Sequence, residues 1–264
     1  MEKYQFYFQT TKTNNIKKLF EVLKEIIQID MVLVINSDSI KINKITEDKT
    51  NIITLKLNCS EFEISHIPEK CYVKVYTKEI YTITKTINNS DIISFYILKD
   101  NPDFLYIENI DKNSDIKTVS KISRLVDENY KEMKIQEISA NSTTTLLCSK
   151  FNKICKDFNN FFSDYIIITD YIDRIEFRCE TDDYQQKVSI KQKVSKEIKN
   201  FKPITGKFKL KTIMPFTKGV NLSDNENNII KIYIIKNDSS VQLIIQYNIG
   251  SLGNIRLLSS GSLE

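Results

Sequence analysis

The chain has 264 residues, of which 41% are hydrophobic and 27% charged, with a formal net charge of +4. This fits two ordinary domains with sizeable cores and excludes a disordered chain, which needs lower hydrophobicity or a larger net charge. No apolar run approaches the roughly 20 residues of a membrane helix, and Met1-Glu-Lys-Tyr-Gln opens as a strand rather than a signal peptide, so no membrane partner is expected.

Strand signals dominate. In chain order, Tyr4–Gln9 is a β-rich alternating segment. It runs into an amphipathic helix, Asn15–Gln28, with Ile16, Leu19, Phe20, Leu23, Ile26 and Ile27 as its apolar stripe. Strands follow at Met31–Ile35, Ile40–Ile45 and Ile52–Leu57, then a second helix at Thr77–Ile87 and strands at Ile92–Leu98 and Phe104–Ile107. The polar stretch Asn109–Asn129 reads as a loop or excursion. Tyr130–Glu137 alternates as an edge strand with Met133 and Ile135 on one side. Small polar residues near Ile138–Thr143 mark a joint. Strand Thr144–Leu147 then leads into helix Ser149–Phe161, with Ser149 as its expected cap. Strands Tyr165–Thr169, Arg174–Cys179 and Val188–Lys191 follow, then helix Lys209–Gly219 and strands Ile229–Ile235 and Val241–Tyr247. The strand–helix–strand–turn–strand order occurs twice, displaced by about 134 residues, which is self-similarity at the scale of a domain. The expected fold is α+β: two similar tandem domains, 1–138 and 139–264, with antiparallel sheets and short helices on one face.

The lysines follow the helices. Lys17 and Lys24, Lys78 and Lys85, and Lys211 and Lys218 are each seven apart, two turns along one helix face. Lys18 is adjacent, and Lys150, Lys153 and Lys156 line the third helix. A solvated helix face is the ordinary fate of lysine, and Glu21, Glu25, Glu79 and Asp157 dilute the pattern. Four helices with one habit nevertheless suggest a basic surface for duplex DNA. Such a surface contacts phosphates and has no base-reading chemistry.

Catalytic chemistry is not expected. His66 is the single histidine: a Ser-His-Asp triad would need it and nothing else about its setting supports one, and one histidine with scattered cysteines makes a poor zinc site. Gly206-Lys207 lacks the earlier glycine of a phosphate loop, since Phe201 stands there, and Phe208 replaces the Ser/Thr. Cys59, Cys71, Cys148, Cys155 and Cys179 form no C-x-x-C pair and read as reduced core thiols. No enzyme, metal or cofactor is expected. Heavy use of isoleucine, asparagine and lysine, with Ala140 the sole alanine, is the composition of an AT-rich genome such as large DNA viruses and protists have.

Four stretches stand out: Asn15-Ile-Lys-Lys-Leu-Phe-Glu-Val-Leu-Lys24, Lys150-Phe-Asn-Lys-Ile-Cys-Lys-Asp157, Phe208-Lys-Leu-Lys with Pro215-Phe-Thr-Lys-Gly-Val-Asn-Leu-Ser223, and Leu243-Ile-Ile-Gln-Tyr-Asn-Ile-Gly-Ser-Leu-Gly253. Together they resemble the PCNA family of DNA sliding clamps. They keep their order from end to end, the C-terminal half being the more specific. The resemblance implies a ring-forming homotrimer of six domains whose helices line a hole around duplex DNA. It places Lys17, Lys18, Lys24, Lys85, Lys153, Lys156, Lys211 and Lys218 at DNA-facing positions. It also implies DNA polymerase and a clamp loader as partners that dock through short peptide motifs. Their groove would be lined by Ile45, Leu257 and Leu258, with Gln242 where the family has proline and Ile138 from the connector. Leu257 and Leu258 are consecutive, so one is expected in the core and the other in the groove. Subunits would join through Tyr130, Met133 and Ile135 of one edge and Val188 and Ile190 of the next, the second edge being Gln185–Lys193. Against that family the connector reads as cut down to about Ile138–Thr143, Ile172 occupies the modified-lysine position, and the acidic tail is missing. The departures leave open a specialised relative: one subunit of a heterotrimer, a viral transcription clamp or a monomeric processivity factor. A plain scaffold with solvated lysines is the other alternative. The expected location is the nucleus, or a cytoplasmic viral factory for a viral protein.

Overall fold

The computed structural model describes residues 1–126, 130–133, 135, 143–171, 173–192, 202–222 and 228–263. The chain forms two compact units. The first comprises Met1–Lys44, Thr54–Ile135 and Asn248–Ile255; the second comprises Ile45–Ile53, Gln136–Tyr247 and Arg256–Glu264.

The first unit contains β1 (Tyr4–Thr10), α1 (Thr13–Ile26), β2 (Asp30–Ile35), β3 (Ser39–Ile45), β4 (Asn51–Asn58), β5 (Ile64–His66), β6 (Cys71–Tyr76), α2 (Thr77–Thr84), β7 (Ile92–Leu98), β8 (Asn101–Ile110) and β9 (Lys117–Ser123), β3 and β4 each reaching into the second unit at one end. One sheet has the order β5-β1-β7-β8-β9, and another series runs β4-β3-β2-β6. Period-two alternation decides which way the strands face: Phe6, Phe8 and Thr10 of β1 are buried while Tyr7 and Gln9 are half-exposed. Phe8 stacks on Phe95 of β7 at 5.2 Å, and Phe95 meets Phe20 of α1 at 6.0 Å. The apolar stripe of α1, Ile16, Leu19, Phe20, Leu23 and Ile26, is buried throughout. The helix stops where Ile27 turns extended.

The second unit contains β10 (Thr144–Leu147), α3 (Cys148–Asn160), β11 (Tyr165–Asp170), β12 (Arg174–Glu180), β13 (Gln185–Lys191), β14 (Ile204–Lys209), α4 (Leu210–Ile213), β15 (Ile229–Lys236), β16 (Val241–Ile249) and most of β17 (Gly253–Leu263). A 3-10 helix, Met214–Leu222, extends α4. Its strand orders are β13-β12-β11-β14-β17 and β10-β15-β16-β17. Phe151, Ile154, Cys155 and Phe158 of α3 are buried, Phe151 meeting Phe177 of β12 at 6.1 Å.

Leaving out β5, the ten elements of one unit match those of the other in order, and several of their strand pairs correspond. The β1–β7, β7–β8 and β2–β6 pairs correspond to β10–β15, β15–β16 and β11–β14, all antiparallel. The sequence repeat is therefore a structural repeat, and the α+β architecture with paired short helices is as expected.

Three local expectations are corrected. Asn109–Asn129 is not a loop throughout, because β9 lies within it and pairs with β8 from Lys117 to Ser123. Only Ile122 of β9 is buried, so hydrophobic periodicity gives no signal there. In Tyr130–Glu137, the described residues Tyr130–Met133 and Ile135 form no strand. Tyr130 instead sets its ring 5.3 Å from that of Tyr72, and the Met133 carbonyl accepts a hydrogen bond from Asn43 Nδ2 at 3.0 Å. Strand β9 thus ends at Ser123, ahead of the joint expected near Ile138–Thr143, most of which lies outside the described residues. Finally, α3 begins at Cys148 with Leu147 as its cap residue, so Ser149 lies inside the helix.

Candidate nucleic-acid interface and contact surfaces

Every lysine singled out from the sequence lies on or at the end of one of the four helical segments. Lys17, Lys18 and Lys24 project from α1 and are half-exposed. Lys78 on α2 and Lys85, its C-cap residue, are exposed, as are Lys150, Lys153 and Lys156 on α3, Lys211 on α4 and Lys218 on the 3-10 helix. In each case the buried stripe of the helix holds its back to the sheet, so the polar face is left to solvent. Within the first unit α1 packs against α2. Residues 209–222 carry no acid at all, and α3 carries only Asp157 against its three lysines.

These lysines are not equivalent. Lys17 donates to the Ile87 carbonyl and so ties α1 to the turn after α2. Lys24 is bonded to Glu25 Oε1 at 3.1 Å and lies 5.3 Å from the centre of the Tyr81 ring. Lys85 is 5.7 Å from the same ring. Lys211 and Lys218 are less well aligned than an α-helix would make them: the tighter 3-10 turns after Met214 rotate Lys218 by roughly 60° from Lys211.

The remaining candidates separate. Val188 and Ile190 are half-exposed on β13, which ends its sheet order and pairs with β12 on one side. In the first unit β9 also ends a sheet order, with Val119 48% exposed, whereas Tyr130, Met133 and Ile135 do not lie on a strand. Ile45 is 41% exposed and Gln242 half-buried. Leu257 and Leu258 are both buried, at 2% and 6% exposure, so the expected division of this pair between core and groove does not hold: both faces of β17 are covered. Ile138 and Lys193 lie outside the described residues, as does Ile172.

The sequence reading passed over two features. Phe162, just after α3, has φ +56° and is 91% exposed. A helix end of this kind is ordinarily closed by glycine, so the Phe161-Phe162 pair is the signal available beforehand. Tyr81 carries no sequence signal, since its relation to Lys24 depends on how α1 and α2 pack.

Among the described residues no group of three or more His, Cys, Asp or Glu is placed to hold a metal ion, and no helix is long and apolar enough to cross a membrane. All five cysteines are free. Burial pushes the Cys148 thiol up to about 12 and that of Cys71 to about 11, the nearby Arg124 charge opposing the latter. Neither is a reactive thiolate at neutral pH.

Comparison with known proteins places these features. Residues 134–261 match the family model described as proliferating cell nuclear antigen, C-terminal domain. A protein of Paramecium bursaria Chlorella virus 1 named "Probable DNA polymerase sliding clamp 1" is 27% identical over 261 residues, covering 96% of this chain and 95% of the relative. One from Acanthamoeba polyphaga mimivirus named "Probable DNA polymerase sliding clamp" is 28% identical over 230 residues, covering 85% of this chain and 47% of that longer protein.

Proposed function

We propose that the chain is a PCNA-family DNA polymerase sliding clamp, a ring that encircles duplex DNA without sequence preference and tethers the polymerase to it. The observation that carries the reading is the repeated unit with lysines on all four helical segments, attached to a chain that aligns with a viral clamp from end to end. Phosphate-directed ammonium groups and no base-reading chemistry suit a protein that must slide.

The assembly is a homotrimer of two-domain subunits, divided near residue 138, with Lys17, Lys18, Lys24, Lys78, Lys85, Lys150, Lys153, Lys156, Lys211 and Lys218 toward the DNA. Subunits join by pairing the β9 edge of one copy with the β13 edge of the next, where Val188 and Ile190 supply apolar contact. Unpaired edges are a liability that such pairing removes. Polymerase and clamp loader dock by short peptides at a surface that includes Ile45 and Gln242 and is bordered by the connector. The clamp performs no chemistry of its own and works at sites of viral DNA replication, in the nucleus or a cytoplasmic factory.

Solution mass together with DNA retention tests this. A mass of three chains, with retention on closed circular duplex and loss from linear duplex by sliding off the ends, is the expected result. A monomer that is released equally from both forms would exclude a ring.

A further inference from the structure

We propose that Tyr81 is a positioning residue of the DNA-facing surface, its ring holding the ammonium groups of Lys24 and Lys85 as a preformed pair for the phosphate backbone. The inference rests on the clamp reading above and names a residue that reading does not include.

Tyr81 lies on α2 beside the buried Ile80 and is itself half-buried. Lys85 is four residues further on, the spacing that brings two side chains together on a helix surface. Its ammonium nitrogen stands 5.7 Å from the ring centre. Lys24 comes from the last turn of α1, the neighbouring helix, with its nitrogen 5.3 Å from the same centre. Both distances fall within the reach of a cation–π contact. One ring thus gathers cations from two helices.

Two ammonium groups near one ring repel each other, and lysine is among the side chains with the most rotamer freedom to lose. The negative face of the ring offsets the first effect, and the contact restricts the second before DNA arrives. Glu25 competes for Lys24 through its 3.1 Å ion pair, so the ring also keeps that lysine from being wholly committed to its neighbour. Without the ring the charges remain, but they must be ordered when the phosphate binds. Tyr81 therefore contributes to affinity without changing the number of phosphates neutralised. That separates it from the lysines, each of which contributes about one unit to the salt slope.

The test measures binding of the full-length chain to a linear duplex oligonucleotide across a salt series. Tyr81→Leu is expected to weaken binding about three- to tenfold at fixed salt, with an unchanged slope of log affinity against log salt. Tyr81→Phe keeps the ring and is expected to match the parent. Lys24→Ala and Lys85→Ala are expected to lower the slope by about one unit each. Tyr81→Met takes the place of the leucine variant if that variant does not fold, melting being followed in each case. Unchanged affinity in the ring-less variant overturns the proposal, as does equal loss in Tyr81→Phe, which would assign the effect to the phenol oxygen. If the parent itself binds duplex without any salt dependence, the clamp reading fails with it. Normal parent binding with an indifferent Tyr81 removes this inference alone.

Discussion

Phe161 holds its ring 5.6 Å from that of Tyr184, joining the end of α3 to the start of β13, while Phe162 beside it faces solvent in a left-handed backbone conformation. A left-handed conformation costs a non-glycine residue roughly 1–2 kcal/mol, and full exposure returns nothing to the isolated chain. Both features are accounted for if this aromatic end meets another copy of the chain. Phe162→Gly should relieve the strain, less the roughly 0.5–1 kcal/mol of chain entropy glycine carries. The protomer should therefore melt at an equal or higher temperature. The oligomer should dissociate about tenfold more readily, since exposed aromatic anchors carry much of an interface. Melting and sedimentation at several concentrations check this. A variant that melts higher and assembles as before would show that Phe162 has no part in assembly.

Val119→Lys should give a folded monomer. Val119 lies on β9 across from Glu108 and is half-exposed, so a lysine there leaves the protomer's core intact. A lysine on a strand edge opposes edge-to-edge pairing. Solution mass is the readout, and an unchanged mass would place the subunit contact away from β9.

Replacing Lys150, Lys153 and Lys156 of α3 together with alanine should lower the salt slope of duplex binding by about three units without loss of fold. All three side chains are exposed. No base preference should appear before or after the change. A slope that does not move would make α3 an ordinary solvated helix.

Leu258→Ala and Ile45→Ala should now part company. Leu258 is buried, and its truncation should cost about 2–5 kcal/mol of stability by leaving a cavity. Ile45 is exposed, so its truncation should leave melting unchanged and reduce stimulation of a partner polymerase. Full stimulation by the Ile45 variant would move the docking surface elsewhere.

Asp30 should contribute to acid sensitivity. Burial alone would raise its carboxyl, but bonds from Lys44 at 2.7 Å and Lys74 at 3.2 Å outweigh burial and hold it below its ordinary value of 3.8. A carboxylate lowered by folding adds stability above that ordinary value, and the contribution is lost as pH falls through the folded one. Asp30→Asn should therefore cost about 1 kcal/mol at neutral pH, discounted for partial exposure. The difference from the parent should close below about pH 4. Denaturant titrations at neutral and acid pH check this, and a constant difference would exclude the ionisation as its source.

Much of the molecule was legible in the chain itself. The stripe Ile16, Leu19, Phe20, Leu23 and Ile26 specifies α1 because burial of one helix face imposes a 3.6-residue period, and the same holds for Phe151, Ile154, Cys155 and Phe158 of α3. The doubled order of elements was visible for the same reason, and with it the helix lysines, which occupy what the stripes leave over. β9 escaped because an edge strand with one buried side chain has no period to read. Leu257 and Leu258 could not be apportioned from alternation, which assigns opposite faces but does not tell whether each face is covered. Phe162 shows its strain only through a backbone angle, and Tyr81 meets Lys24 only because α1 packs on α2. Local periodicity is written residue by residue in the chain. Which faces are covered, which edges stay open and which charges from separate helices share one ring are decided only when distant segments pack together.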